Sequence, residues 1–136
     1  MSIISLKYKL YRNSKRLRRL DNQRVVASQI YNHCIALHKR FYRLFKKYPH
    51  VNNIKNHLTK LKKLQKYAHW RILGSQAIQD VAERIDKAYK LYFQEHKTNK
   101  NIQPPTFKSR RHYKSFTLKQ HGAGYQFLPD LNQVRI

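Results

Sequence analysis

The chain has 136 residues, 40% of them hydrophobic, and carries 30 Lys and Arg against 6 Asp and Glu, a formal charge of +24 at pH 7. Apolar content of that size, spread along the length as Leu, Ile, Val, Tyr and Phe, excludes a largely disordered polyelectrolyte and allows one ordinary core. A charge that large repels itself unless a polyanion neutralises it, which a phosphate backbone does while releasing its condensed counterions.

The bases are unevenly placed. The first 79 residues hold 19 of them and a single acid, Asp21. An isolated basic run is usually a solvated face, but a whole-chain excess points to RNA or DNA as partner. Cys34 is the only cysteine, which excludes an intrachain disulfide and fits an intracellular home. Met1-Ser2-Ile3-Ile4-Ser5 opens no signal sequence, and no apolar run reaches the roughly 18 residues that span a bilayer. No membrane is expected, and the oligomeric state is left open.

In chain order, residues 3–11 alternate, with Ile4, Leu6, Tyr8 and Leu10 on one side and Ser5, Lys7 and Lys9 on the other. Period two predicts a half-buried strand. Asn13 or Ser14 then caps a long helix whose stripe is Leu17, Leu20, Arg24, Ala27, Tyr31, Cys34, His38 and Phe41, widened by Ile30, Leu37 and Leu44. Pro49 is expected to stop it. A second helix is predicted over about 53–67, with Ile54, Leu58, Leu61 and Leu64 inward. Ser75 is expected to cap a third, whose stripe is Ile78, Val81, Ile85, Ala88 and Tyr92.

After a polar, proline-ended stretch the period returns to two. Phe116 and Leu118 alternate with Ser115, Thr117 and Lys119, residues 125–128 form a further strand, and 134–136 begin another. The expected fold is mainly α with a small β part. Residues 1–12 give the first strand of a split, incomplete barrel, 13–97 a three-helix bundle inserted into it, 98–113 a basic loop, and 114–136 the later strands.

Asp80, Glu83 and Asp86 lie at three-residue steps on the third helix, which invites a metal-site reading. Each has a base four residues on, namely Arg84, Lys87 and Lys90, and that is the favoured surface pairing. Cys34 and His38 share a face beside His33, but zinc needs two more ligands at a recognisable spacing. Cys34 reads instead as a small buried thiol. No catalytic residue, metal or cofactor is expected, and no glycine-rich nucleotide cradle exists among three glycines.

What remains is base with aromatic. Lys15, Arg16, Arg18 and Arg19 crowd the start of the first helix, while Lys62 and Lys66 lie on the outer face of the second. Phe107, Lys108, Arg110, Arg111, Tyr113 and Lys114 interleave rings and cations in the loop, a pairing that meets phosphate and stacks on exposed bases. Solvation is the plain account of the helix-end clusters, with the helix dipole helping only bases in a last turn. Phe107 and Tyr113 have a plain alternative too, packing beneath the loop.

Lys7-Tyr8-Lys9-Leu10-Tyr11, Ile30-Tyr31-Asn32, Ser75-Gln76-Ala77-Ile78-Gln79-Asp80, Ile85-Asp86-Lys87-Ala88-Tyr89 and Pro105-Thr106-Phe107-Lys108-Ser109-Arg110-Arg111 occur in that order. Together they resemble the N-terminal part of the TnpB (OrfB) family of insertion-sequence proteins, RNA-guided DNA nucleases in which this part was long described as a transposase helix-turn-helix domain. The resemblance implies a wedge-type barrel with a helical recognition bundle, a guide-type RNA or target DNA partner, and a prokaryotic, nucleoid-associated cytoplasmic setting. It adds Lys7, Lys9, Asn32 and Gln76 to the nucleic-acid-binding residues. Arg12 and Gly74 stand where relatives commonly carry proline. The family's nuclease domain, with its carboxylates and zinc element, has no counterpart up to Ile136, so the resemblance implies binding without cleavage by a truncated remnant or a piece of a longer protein. Two other readings are a basic amphipathic protein of membrane surfaces and a decayed mobile-element product without function.

Overall fold

The computed structural model describes residues 9, 14–118, 126–128 and 133–135. The N-terminal strand expected over residues 3–11 lies outside these, apart from exposed Lys9, as do Lys7 and Asn13.

Helix α1, Ser14–Phe45, runs 32 residues without a Gly or Pro. Its buried stripe is Gln23, Val26, Ala27, Ile30, Tyr31, Cys34, Ile35 and His38, steps of three and four that keep one face inward. The expected stripe began too early and ended too late, for Leu17 and Leu44 are exposed. Its end is also set before Pro49. Lys46 adopts φ 56° and its N–H donates to the Tyr42 carbonyl at 2.8 Å, a left-handed cap on a residue that is neither Gly nor Asn.

Helix α2, Val51–Leu61, starts at an unexpected cap, the imidazole of His50, whose Nδ1 accepts from the Asn52 N–H at 3.1 Å. It ends six residues short of Tyr67, and Leu64 is exposed. The chain instead turns into a 3₁₀ segment, Gln65–Leu73, which buries Trp70 and Leu73. A run of nine is long for this geometry, and side chains brace it from outside. Gln23 Nε2 donates to the Ile72 carbonyl at 3.0 Å, Arg71 Nε to that of Lys62 at 3.0 Å, and Trp70 Nε1 to Gln29 Oε1 at 3.3 Å.

Gly74 precedes helix α3, Ser75–His96, at φ 86° and ψ 148°, a region open essentially to glycine alone. Ser75 is therefore the first helical residue and not the cap, and no side chain caps this end. Ala77, Ile78, Val81, Ala82, Ile85, Asp86 and Tyr89 are buried, whereas Ala88 faces solvent. α3 packs on α1 and on α2, and the 3₁₀ segment packs chiefly on α1.

Residues 102–118 cross this bundle as an extended strap. The alternation expected there is real, with Phe116 and Leu118 packed against the core and Ser115 and Thr117 exposed. No strand partner is found among the described residues; Arg84 of α3 donates to the Ser115 carbonyl and to the Thr117 hydroxyl instead. Strands β1, Gln126–Leu128, and β2, Gln133–Arg135, form an antiparallel pair with Phe127 opposite Val134. The described residues are thus mainly helical with a small β part, and they contain no barrel.

Ile85 is 1% exposed, so Ile85→Ala should cost about 2–5 kcal/mol in urea unfolding. A Cβ at Gly74 meets no atom within 4 Å, so Gly74→Ala should cost only its backbone strain, about 1–3 kcal/mol. Leu64→Ala should stay within about 0.5 kcal/mol.

Candidate nucleic-acid interface

Four acids pair with bases of the chain. Asp21 pairs with Arg24 at 2.7 Å, Asp80 with Arg84 at 2.8 Å, Asp86 with Lys90 at 2.9 Å and Glu83 with Lys55 at 2.6 Å. Two of the three expected pairings on α3 form. Glu83 reaches across to α2 instead of taking Lys87, because the packing of α2 on α3 brings Lys55 to it. Asp86 is buried, which by itself would raise its carboxyl pKa. Hydrogen bonds from Lys90 and from the Tyr48 hydroxyl, at 2.8 Å, outweigh this and hold it below the usual value. Four of the six acids therefore neutralise neighbouring bases, and no group of three metal-ligating side chains occurs among the described residues.

The strap carries the densest set of expected contacts, held from beneath. Arg24 donates to the carbonyls of Arg110 and, at 2.9 Å, Tyr113, while its other nitrogens hold Asp21. Tyr31 donates from its hydroxyl to the Thr106 carbonyl at 2.8 Å. Asn32 donates to the Lys108 carbonyl at 2.8 Å and accepts its N–H at 2.9 Å. Asn32 thus ties its amide to the strap backbone. Tyr113 is 5% exposed, with its ring 5.3 Å from that of Tyr31, and packs in the core. The packing alternative holds for Tyr113 and fails for Phe107, which is exposed with Lys39 Nζ 4.5 Å from its ring centroid. Lys108, Arg110, Arg111 and Lys114 face solvent.

The other expected residues fall into separate patches. Lys15, Arg16, Arg18 and Arg19 are exposed on the first turns of α1, one to two turns before the Arg24 that holds the strap. Lys62 is half-buried and Lys66 exposed on the α2 side, with Lys66 Nζ 5.4 Å from the Tyr67 ring. Gln76 is half-buried in the first turn of α3.

Lys66 borders a histidine pair that the sequence did not disclose. His33 and His57 stack at 5.5 Å with Nε2 atoms 3.3 Å apart, and the His33 ring is edge-on to Tyr67 and Trp70. Burial, then the mutual His57 charge and those of Arg40 and Lys66, lower the His33 pKa; burial, Lys60 and Arg40 lower that of His57. Cys34 lies within the core, where desolvation pushes its thiol up to about 12, as an inert buried thiol requires.

His38 was read as part of the stripe and is more than that. It is 3% exposed, stacks on Tyr89 at 4.7 Å and lies 5.1 Å from Tyr48, and desolvation lowers its pKa to about 4 despite nearby Asp86. No family model, no curated protein and no solved structure matches this chain.

His38 contributes to the acid side of the stability curve. The unfolded chain protonates this imidazole near 6.5 and the folded one only near 4, so unfolding takes up a proton between those values. Stability should fall by about 3 kcal/mol as pH drops from 6.5 to 4, with no further loss from this group below. Urea melts across that window check it. His38→Phe should flatten most of the slope, leaving the part due to His33 and His57.

Proposed function

We propose that the chain binds nucleic acid, guide-type RNA or DNA, without cleaving it, as the N-terminal part of a TnpB-like protein would. One observation carries this reading: a +24 chain engages four of its six acids in ion pairs with its own bases and leaves most of its bases exposed. Phosphates then neutralise Lys15, Arg16, Arg18 and Arg19 at the head of α1 together with Lys108, Arg110, Arg111 and Lys114 on the strap. In the same reading residues 1–12 and 114–136 contribute strands to a wedge-type barrel, and the helices serve as its recognition bundle. Specificity then depends on how the strap is held, since Asn32 and Tyr113 position it and the cations contact the backbone.

Titrations of a structured RNA, a single strand and a duplex DNA at several salt concentrations test this. Log K should fall linearly with log salt, and each of Arg110→Ala, Arg111→Ala and Lys114→Ala should reduce the slope by about 1. Absence of binding at low salt, or slopes indifferent to all three changes, overturns the reading.

The end of α1 favours a second reading. Leu44 and Phe45 are exposed beside Arg43, Lys46 and Lys47, an apolar tip ringed by cations of the kind that seats on anionic lipid. No helix among the described residues is long and apolar enough to cross a membrane. Flotation with anionic vesicles, lost in Leu44→Ser with Phe45→Ser, would support it over nucleic acid.

A further inference from the structure

An aromatic cleft of about 210 Å³ opens between the end of α1, the turn that follows it at Tyr48 and Pro49, α3 and the strap. That is below the roughly 300–1,000 Å³ of clefts for larger organic ligands. Tyr42, Tyr48, Tyr89, Tyr92 and Phe93 wall it, and His38 lines it. The His38 Nδ1 is buried with no hydrogen-bond partner, in a ring that is 3% exposed. A buried polar atom left unpaired is costly, and its cost is relieved by whatever brings it a donor or acceptor. The Tyr48 hydroxyl is taken by the Asp86 carboxylate and Lys90 by the same carboxylate, so neither serves His38. Lys39 lines the cleft and Lys46 Nζ lies 5.9 Å from the Tyr42 ring, so cations stand around it.

Flat apolar walls, one buried polar atom and surrounding cations describe the complement of a heteroaromatic ring attached to phosphate. We infer that this cleft takes one unstacked nucleobase of a single strand, gripped by the tyrosine and Phe93 rings, hydrogen-bonded by His38 Nδ1, with its backbone phosphate near Lys39. The inference rests on the nucleic-acid reading and deepens it: the strap and the head of α1 bind backbone, whereas the cleft binds a base. Binding a base here also desolvates Tyr42 and Phe93, both of which are exposed in the free chain.

The test compares twelve-nucleotide single strands that keep all their bases with abasic strands of the same phosphate number, in an RNA and a DNA series. Base-bearing strands should bind the full chain about tenfold more tightly than abasic ones. Tyr42→Ala, at a residue 54% exposed and so harmless to the fold, should erase most of that difference while the abasic strand binds both proteins alike. His38→Phe keeps a ring of similar shape but no Nδ1, and should abolish preferences among homopolymers of different base. Equal binding of base-bearing and abasic strands overturns the cleft and leaves the backbone reading intact. So does a loss on Tyr42→Ala that is equal for both strands. Failure of every strand to bind overturns both. A tenfold effect confined to one series assigns the cleft to RNA or to DNA.

Discussion

Close packing of α1 on α3 is the constraint from which the other features follow. Ala27 and Cys34 on one helix, and Ala77 and Ala82 on the other, are at most 1% exposed. Small side chains at such positions let two helix axes approach, and Ile30, Ile35, Ile78, Val81 and Ile85 fill what remains. Once these helices are fixed, Arg24, Tyr31 and Asn32 on α1 and Arg84 on α3 stand ready as donors for the strap. The strap therefore has a defined path without a strand partner among the described residues. Its backbone carbonyls, which a sheet would satisfy, are met by side chains.

The same arrangement reconciles a compact core with a very high charge. Self-repulsion among 30 bases opposes folding, and each acid placed between elements offsets part of it locally. Lys55 with Glu83 ties α2 to α3, and Asp86 ties Tyr48 to the same helix. Such half-exposed pairs add modestly to stability, so most of the holding power is apolar. What the pairs do more effectively is offset part of the local excess of positive charge.

Neighbouring histidines on α1 show how one helix supplies different environments. His33 turns toward α2 and the 3₁₀ segment, where it meets another imidazole and two aromatic rings; His38, five residues on, turns toward α3 and sinks among tyrosines. Both are held neutral chiefly by desolvation. Their protonation would leave a charge in a poorly solvated place, so helix packing and titration are linked throughout the bundle.

Helix positions, the burial of Cys34, the inward Ile78, Val81 and Ile85 of α3 and the inward alternation of Phe116 and Leu118 were legible in the sequence, since periodicity reports directly which side faces the core. The basic character of the surface was legible too, for charge needs no geometry to be counted. Ends were not. Lys46 in a left-handed conformation and an imidazole cap at His50 follow no composition rule, and the Gln65–Leu73 segment has neither helical nor strand period. Nor did the sequence separate Phe107 from Tyr113, both aromatic neighbours of cations in one loop. Which of them is buried, which base Glu83 selects, and which imidazole nitrogens are left without a hydrogen-bond partner were decided only by tertiary structure. Each depends on distances between elements far apart in the chain, and those are set by packing.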